Sequence, residues 1–333
     1  MILVLRALGV GDLATAVPAL RGLRAAYPTK ELTLAAPAWL APLADLVGGV
    51  DRLVDADGLG HLPWSGPGPT LAVNLHGRGP QSHRMLAGIW PDRLLAFANP
   101  KAGHHDGPVW DDDEHEVDRW CRLLAWYGIP ADRTDLALRR PEPGALPSGV
   151  SIVHPGTKAP ERRWPPARFA AVARELAARG HRVVVTGSPG ERGLAEEVAR
   201  AAGLPPGAVL AGRTGLGELA ALVAHARLLL SGDTGVAHLA TAYGTPSVLL
   251  FGPVSPALWG PPPDRPWQQA LWVGPRPPGD GRTVHPALAE LGVPTVLATV
   301  DRVEQAVPRP VSRLVPAARD RAGRPAPAGP AVR

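Results

Sequence analysis

Residues 228–253 constrain this chain most, because they combine two apolar segments with a polar, glycine-containing turn. Leu228–Leu230 predicts a buried strand, Ser231–Gly235 predicts a turn, and a helix is expected to follow to about Tyr243. Ser247–Phe251 predicts a second buried strand. An α/β protein builds an anion site from this order of elements, since the free N–H groups at the start of the helix face the ligand.

A carboxylate, Asp233, lies in this turn and would repel a phosphate group. It is better explained as an acceptor of sugar hydroxyls beside the phosphate, although it could also serve only as a helix cap. Gly232 and Gly235 lack a Cβ and would let a ligand approach the backbone. His238, one turn into the helix, could reach the same ligand, but a lone helical histidine is more often structural.

Strands alternating with helices are predicted on both sides of a linker at 140–149, which is rich in Pro and Gly. Such alternation indicates parallel sheets. The sequence therefore predicts two Rossmann-like α/β domains that face each other across a ligand cleft. We place an N-terminal domain at residues 1–145, a C-terminal domain at 146–307 and a Pro/Arg-rich tail, predicted to be disordered, at 308–333.

Several local elements are less regular. We expect one helix from the first glycine turn to Tyr27, a short strand near Val209, and a last helix near Thr295–Ala306, after a Pro/Trp-rich stretch without predicted elements. Four acids at Asp111–Glu114 precede a predicted helix. They look like a metal site, but they lack any metal-binding spacing, and the helix dipole favours acids at this end. We therefore expect a helix cap and no metal.

The net charge of +5 points at first to a nucleic-acid partner. The six arginines and one acid that follow residue 307 account for all of it, so residues 1–307 are neutral. We therefore expect no nucleic-acid partner. The tail is best explained as a compositional bias, with a contact to an acidic membrane surface or to nucleic acid as the alternative. The single cysteine excludes a disulfide framework, and there is neither an apolar run of about 18 residues nor a signal-peptide pattern. These features predict a cytoplasmic protein.

Residues 9–14 match the dinucleotide-binding pattern G-x-G-x-x-A and raise the alternative of a nicotinamide-dependent oxidoreductase. That function needs an acid at the end of the second strand, which here ends in Ala36 before Pro37. Asp12 would also stand where the pyrophosphate should lie. Asp12 could instead be a general base that takes a proton from an acceptor hydroxyl, or a plain helix cap.

A loop with a hydroxyl and three cations follows the first strand of the second domain: Thr157, Lys158, Arg162 and Arg163. Cations placed on a departing phosphate stabilise the charge of the leaving group. Lys158 is one of only three lysines in the chain, whereas either arginine alone could be a solvated surface residue.

Four blocks in this order resemble glycosyltransferase family 9, the heptosyltransferase family of lipopolysaccharide core synthesis. The blocks begin at Arg6, His154, Gly187 and Asp233 and together span most of residues 1–260. The resemblance implies a GT-B fold and an inverting, metal-independent transfer of a sugar from a nucleotide-diphosphate donor. The family's leading donor is ADP-heptose, and its acceptor is a glycan or glycolipid of the cell envelope, which implies a cytoplasmic enzyme that contacts the inner face of the plasma membrane.

The resemblance also assigns roles to residues. It implies that Asp12 is the base, that Glu191 contacts the base or ribose of the nucleotide, and that Thr214 lies by the nucleobase. The residues implied to bind the donor diphosphate and sugar, taken together with the cation loop, are Thr157, Lys158, Arg162, Asp233, Thr234, Gly235 and His238. Arg162 stands where well-studied members have Lys.

The acceptor side is less distinctive. Arg78 and Arg84, with His83, could meet an anionic acceptor or be ordinary surface residues. The alternatives to transfer are a nucleotide-sugar-binding protein without transferase activity and, less favoured, the oxidoreductase.

Overall fold

A computed structural model describes residues 1–60 and 62–307. The predicted disordered tail at 308–333 lies outside the described residues. Within the described ranges, none of the helices combines the length and the apolar content needed to cross a bilayer.

The N-terminal domain is a parallel five-stranded sheet in the order β3-β2-β1-β4-β5. Its strands are β1 (Ile2–Leu5), β2 (Leu32–Ala36), β3 (Arg52–Asp55), β4 (Leu71–Asn74) and β5 (Arg93–Leu95). Its helices are α1 (Val10–Thr15), α2 (Val17–Ala26), α3 (Ala41–Val47), α4 (Gln81–Ala87) and α5 (Glu116–Trp126). Every residue of β1, β2 and β4 is buried, which explains their continuous apolar sequences, because both faces of a parallel sheet are covered.

The C-terminal domain is a second parallel five-stranded sheet, in the order β10-β9-β8-β6-β7. Its strands are β6 (Ser151–His154), β7 (Val183–Val185), β8 (Leu228–Gly232), β9 (Ser247–Leu250) and β10 (Gln268–Leu271). Its helices are α6 (Pro166–Ala178), α7 (Arg192–Ala202), α8 (Leu216–Ala224), α9 (Gly235–Tyr243), α10 (Pro256–Trp259), α11 (Pro286–Glu290) and α12 (Val293–Ala306). The prediction of two parallel α/β domains is therefore confirmed, and the boundary at 145/146 stays a prediction.

Each sheet has one point at which the strand order reverses. In the first domain it lies between β1 and β4, and in the second between β6 and β8. Loops leave such a pair of strands in opposite directions and open a crevice beyond their carboxyl ends, where open α/β sheets bind ligands. We therefore expect ligands to bind at the loops after β1, β4, β6 and β8.

The two domains meet through the first turns of α1 and α9. A Cβ on Gly235 would lie 2.8 Å from Cβ of Val10, and a Cβ on Gly11 would lie 2.5 Å from the His238 ring. Gly235 thus makes room for the other domain, whereas the sequence suggested room for a ligand. His115 Nε2 adds a hydrogen bond across the interface, donating to the carbonyl of Gly260 at 3.2 Å.

Three local predictions were wrong. The single helix expected to reach Tyr27 is two helices that meet at Ala16, and Pro18, which cannot donate a backbone hydrogen bond, lies in the first turn of the second. The strand near Val209 is an isolated bridge to Val185. The Pro/Trp-rich stretch holds β10, α10 and α11, which are short and have no apolar periodicity that could have revealed them.

The four acids before α5 do not supply its cap. His115 is the N-cap residue, and its Nδ1 accepts a hydrogen bond from the N–H of Val117 at 3.2 Å. Glu114 instead accepts two hydrogen bonds from Arg122, at 2.8 and 2.7 Å. The acids in the first turn of the helix are Glu116 and Asp118.

Candidate active site

A cavity of about 380 Å³ lies between the domains, at the carboxyl ends of β1, β6 and β8. Eight residues singled out in the sequence line it: Asp12, Thr157, Lys158, Arg162, Asp233, Thr234, Gly235 and His238. Asp12 comes from the N-terminal domain and the other seven from the C-terminal domain. The structure therefore joins the candidate base of one domain to the candidate donor site of the other.

Asp12 lies in the first turn of α1, and its side chain remains 29% exposed to the cavity. Oδ2 accepts a hydrogen bond from the N–H of Gly9 at 3.0 Å. The carboxylate therefore caps the turn and faces the cavity at once, so its two predicted roles are compatible. It also occupies the Gly9 N–H that a pyrophosphate would need, which argues against a dinucleotide site.

A fully buried arginine, Arg6, holds Asp12 from behind. Its NH2 lies 3.6 Å from Asp12 Oδ1 and 2.8 Å from Glu116 Oε1, and its Nε donates to the Asp12 carbonyl at 2.9 Å. Its guanidinium also stacks over the Trp120 ring, 4.7 Å from the centroid. A buried charge without partners would cost several kcal/mol, and here two carboxylates and a ring stabilise it.

The sequence alone assigns no role to Arg6 or Glu116. Arg6 follows an apolar strand directly, but this position does not by itself show that the side chain is buried. Its partner lies 110 residues away along the chain, and no local pattern links the two.

The cation loop after β6 brings its residues to the cavity in different ways. Arg162 NH1 lies 3.2 Å from Oδ2 of Asp233, whose side chain is only 10% exposed. Arg163 NH2 donates to the Thr157 carbonyl at 3.1 Å, and this arginine is not among the residues that line the cavity. Arg162, with Lys158, is therefore placed to meet a ligand, whereas Arg163 holds the loop.

The start of α9 has the character of an anion site. Its N-cap residue is Thr234, and no described side chain caps the helix. Asp233 is therefore not the cap, and that alternative was wrong. Thr234 and Gly235, at the start of α9, line the cavity together with Arg162. The start of a helix has N–H groups without intrahelical partners and carries the positive end of the helix dipole.

His238 closes the cavity on the inner side. Its ring packs edge-on against Trp259, with centroids 5.7 Å apart. Burial lowers the pKa of His238, with Asp233 and Asp12 acting in the opposite direction. The neutral ring thus separates this cavity from a second one of about 480 Å³, which sequence analysis did not reveal and which lies between α5, α9 and the loop around Pro261.

The two predicted nucleoside residues lie beyond the cavity lining. Glu191 Oε2 accepts from the N–H and the hydroxyl of Ser188, at 2.8 and 2.9 Å. Thr214 lies just before α8, and a Cβ on the nearby Gly212 would be 3.0 Å from Cα of Pro189. The two loops are therefore neighbours at one end of the donor side, and the nucleoside contacts stay predictions.

The predicted acceptor residues also lie outside the cavity. Arg78 NH1 is 3.5 Å from Asp112, and Arg84 donates to the carbonyl of Lys101 at 2.7 Å. Both are exposed, and their acceptor roles stay predictions. His83 is 1% exposed, so neither alternative for it, acceptor contact or surface, was right. Within residues 1–60 and 62–307, no group of His, Cys, Asp and Glu side chains is arranged to hold a metal ion.

Comparison with known proteins shows which family this chain belongs to. A sequence profile of glycosyltransferase family 9 (heptosyltransferase) matches residues 108–275, half of the chain. A lipopolysaccharide heptosyltransferase 3 of Escherichia coli is 36% identical over 128 residues, which cover 37% of this chain and 36% of that protein. The alignment to a second E. coli protein of that name spans half of its length.

Two matches are longer. Lipopolysaccharide heptosyltransferase 2 of Salmonella typhimurium is 27% identical over 291 residues, which cover 77% of this chain and 83% of that protein. The structure of the E. coli ADP-heptose lipopolysaccharide heptosyltransferase II superposes with a TM-score of 0.71 and 22% identity, over 91% of this chain and 98% of that one. The predicted GT-B fold is thereby confirmed, and the chain belongs to glycosyltransferase family 9, the heptosyltransferase family.

Proposed function

We propose that this protein is an inverting, metal-independent glycosyltransferase without a cofactor. It moves a sugar, by likeness to its relatives a heptose carried on ADP, from a nucleotide-diphosphate donor to a hydroxyl of a cell-envelope glycan or glycolipid. A glycolipid acceptor would bring the protein to the inner, cytoplasmic face of the plasma membrane. The observation that carries the proposal is the shared cavity, in which Asp12 of one domain faces the cations and the start of α9 of the other.

The reaction needs one base. Asp12 takes the proton of the acceptor hydroxyl, whose oxygen forms a bond to the anomeric carbon of the donor. The bond from that carbon to the diphosphate oxygen breaks, and its electron pair leaves with the diphosphate. Attack from the face opposite the diphosphate inverts the configuration, and a single carboxylate of suitable position is sufficient for this step.

The departing charge needs cations and dipoles. Lys158, Arg162 and the first residues of α9 line the wall of the cavity contributed by the C-terminal domain. Preorganised donors of this kind stabilise a charge that develops during reaction without having to reorganise. Arg162 is paired with Asp233. In the complex, the diphosphate would draw Arg162 and the sugar hydroxyls would occupy Asp233, so each partner of the pair gains a ligand.

A donor panel tests this function. We expect calorimetric titration to detect binding of at least one nucleotide-diphosphate sugar, ADP-heptose first among them, and transfer to a glycan acceptor to continue in excess chelator. A strict requirement for a divalent metal would contradict the metal-free mechanism. Tight binding of a nicotinamide dinucleotide would favour the oxidoreductase, and donor binding without product over a broad acceptor panel would favour a binding protein.

A further inference from the structure

The loop after β4, residues 75–77, has no role in the proposed transfer step. β4 pairs with β1 at the point where the strand order of the N-terminal sheet reverses. The N–H of Leu75 donates to the carbonyl of Leu5 at 3.1 Å, and Arg6 NH1 donates to the carbonyl of Leu75. The loop therefore lies directly beside the turn that carries Asp12, in the crevice where this sheet is expected to bind its ligand.

Buried polar groups fix the conformation of this loop. Asn74 is fully buried, and its Oδ1 accepts from the N–H of His76 at 3.1 Å. Its Nδ2 donates to the Ser82 hydroxyl at 2.9 Å and faces His83 Nδ1 at 3.1 Å. His83 in turn donates from Nε2 to the carbonyl of Phe97 at 2.8 Å. A fully satisfied buried network of this kind specifies a single arrangement, and it holds the backbone N–H of His76.

One nitrogen of the half-buried His76 ring is unsatisfied. Its Nδ1 is buried and has no hydrogen-bond partner among the described residues. A buried polar atom without a partner costs free energy, so native structures keep few of them, and each needs an explanation. A ligand that supplies the missing partner is one such explanation.

Burial, more than the surrounding charges, keeps the ring neutral. Burial and the field of Arg6 together lower the pKa of His76 to about 4, with Asp12 acting in the opposite direction. At neutral pH the imidazole therefore has one N–H donor and one nitrogen acceptor. A neutral imidazole can therefore donate a hydrogen bond to a sugar hydroxyl or accept one from it. It does not compete with Asp12 for the proton of the acceptor hydroxyl.

We propose that His76 is an acceptor-binding residue whose ring hydrogen-bonds the sugar acceptor and holds the reacting hydroxyl toward Asp12. This inference rests on the proposed transfer function and assigns it an acceptor contact in the N-terminal domain. The ligand class is a polyhydroxylated sugar, and the contact joins an imidazole nitrogen to one of its hydroxyls. The proton of the reaction goes to Asp12 and not to His76.

Two substitutions test the role. His76→Phe keeps a ring of similar size and removes both nitrogens, whereas His76→Asn places an amide near the position of Nδ1. We expect the Phe variant to lower kcat/KM for the acceptor about 10- to 100-fold, and the Asn variant to recover most of that loss. Both should keep the donor dissociation constant of the wild type, because the donor side lies in the other domain. His105→Ala, an exposed histidine of the same domain, is the control and should match the wild type.

The outcomes are distinguishable. If the wild type transfers sugar and the Phe variant matches it, only the role of His76 fails. Equal loss of donor and acceptor binding in the Phe variant would also overturn it, because that is the result of a structural role. If the wild type transfers no sugar to any acceptor, the transfer function fails and this inference fails with it.

A measurement on the wild type does not depend on how the variants fold. The imidazole ¹⁵N signals of His76 should shift when a sugar acceptor is added to protein already saturated with nucleoside diphosphate. Signals that stay in place, while the acceptor is shown to bind, would overturn the proposal.

Discussion

Asp12→Asn should abolish sugar transfer while donor binding survives. The substitution keeps the size of the side chain and an oxygen that can accept from the Gly9 N–H, so the first turn of α1 should hold its shape. Arg6 keeps its buried partner Glu116. What is lost is the proposed base, and general base catalysis contributes about 10²–10⁴-fold to a rate. We expect kcat to fall by about that factor.

The measurement is the initial rate of product formation at saturating donor, together with calorimetric titration of the donor. Asp92→Asn is the matched control, since Asp92 is exposed and lies before β5, at the end of the sheet opposite the cavity. The control should transfer sugar at the wild-type rate. Turnover close to the wild type in the Asp12 variant would show that another group takes the proton.

Arg162→Met should have the second-largest effect. It removes a cation from the leaving-group side of the cavity and leaves the nearly buried Asp233 without its 3.2 Å partner. Removing one preorganised donor of developing charge typically costs about 10²–10³-fold in kcat. We expect a loss of that size in kcat, with a smaller loss of donor affinity, because the charge on the diphosphate grows as its bond to the sugar breaks.

A charge-conserving substitution of Arg162 distinguishes the effect of losing the positive charge from the effect of disturbing the local structure. Arg162→Lys should regain a large part of the lost rate, since a cation of similar reach is restored. Arg192→Met is the control, because Arg192 makes an exposed pair with Glu196 on α7 of the same domain. Equal rates for the Met and Lys variants would show that the charge of Arg162 does not stabilise the leaving diphosphate.

The sequence was most informative where the chemistry is local. Three features could each be recognised from a few neighbouring residues: the strand, turn and helix at 228–243, the cation loop after β6, and the turn that carries Asp12. The structure brings all three to one cavity. Parallel sheets were also predictable, because strands buried on both faces are uniformly apolar.

The features that the sequence could not show depend on contacts between residues that are far apart along the chain. The Arg6–Glu116 pair joins positions 110 residues apart along the chain. Val10 of the other domain occupies the space that a Cβ on Gly235 would need. In the sequence, His83 looks like a surface or acceptor residue, and only its contact with Asn74 shows that the two residues hold a loop. Short elements such as β10 escaped for another reason, since four residues with two glutamines have no apolar pattern to detect.

The decisive experiment is a structure of the protein with an intact, non-transferable nucleotide-diphosphate sugar. We expect the diphosphate to lie between Arg162 and the start of α9, with the anomeric carbon facing Asp12 across the cavity. A donor bound elsewhere, or bound with its sugar directed away from Asp12, would contradict it.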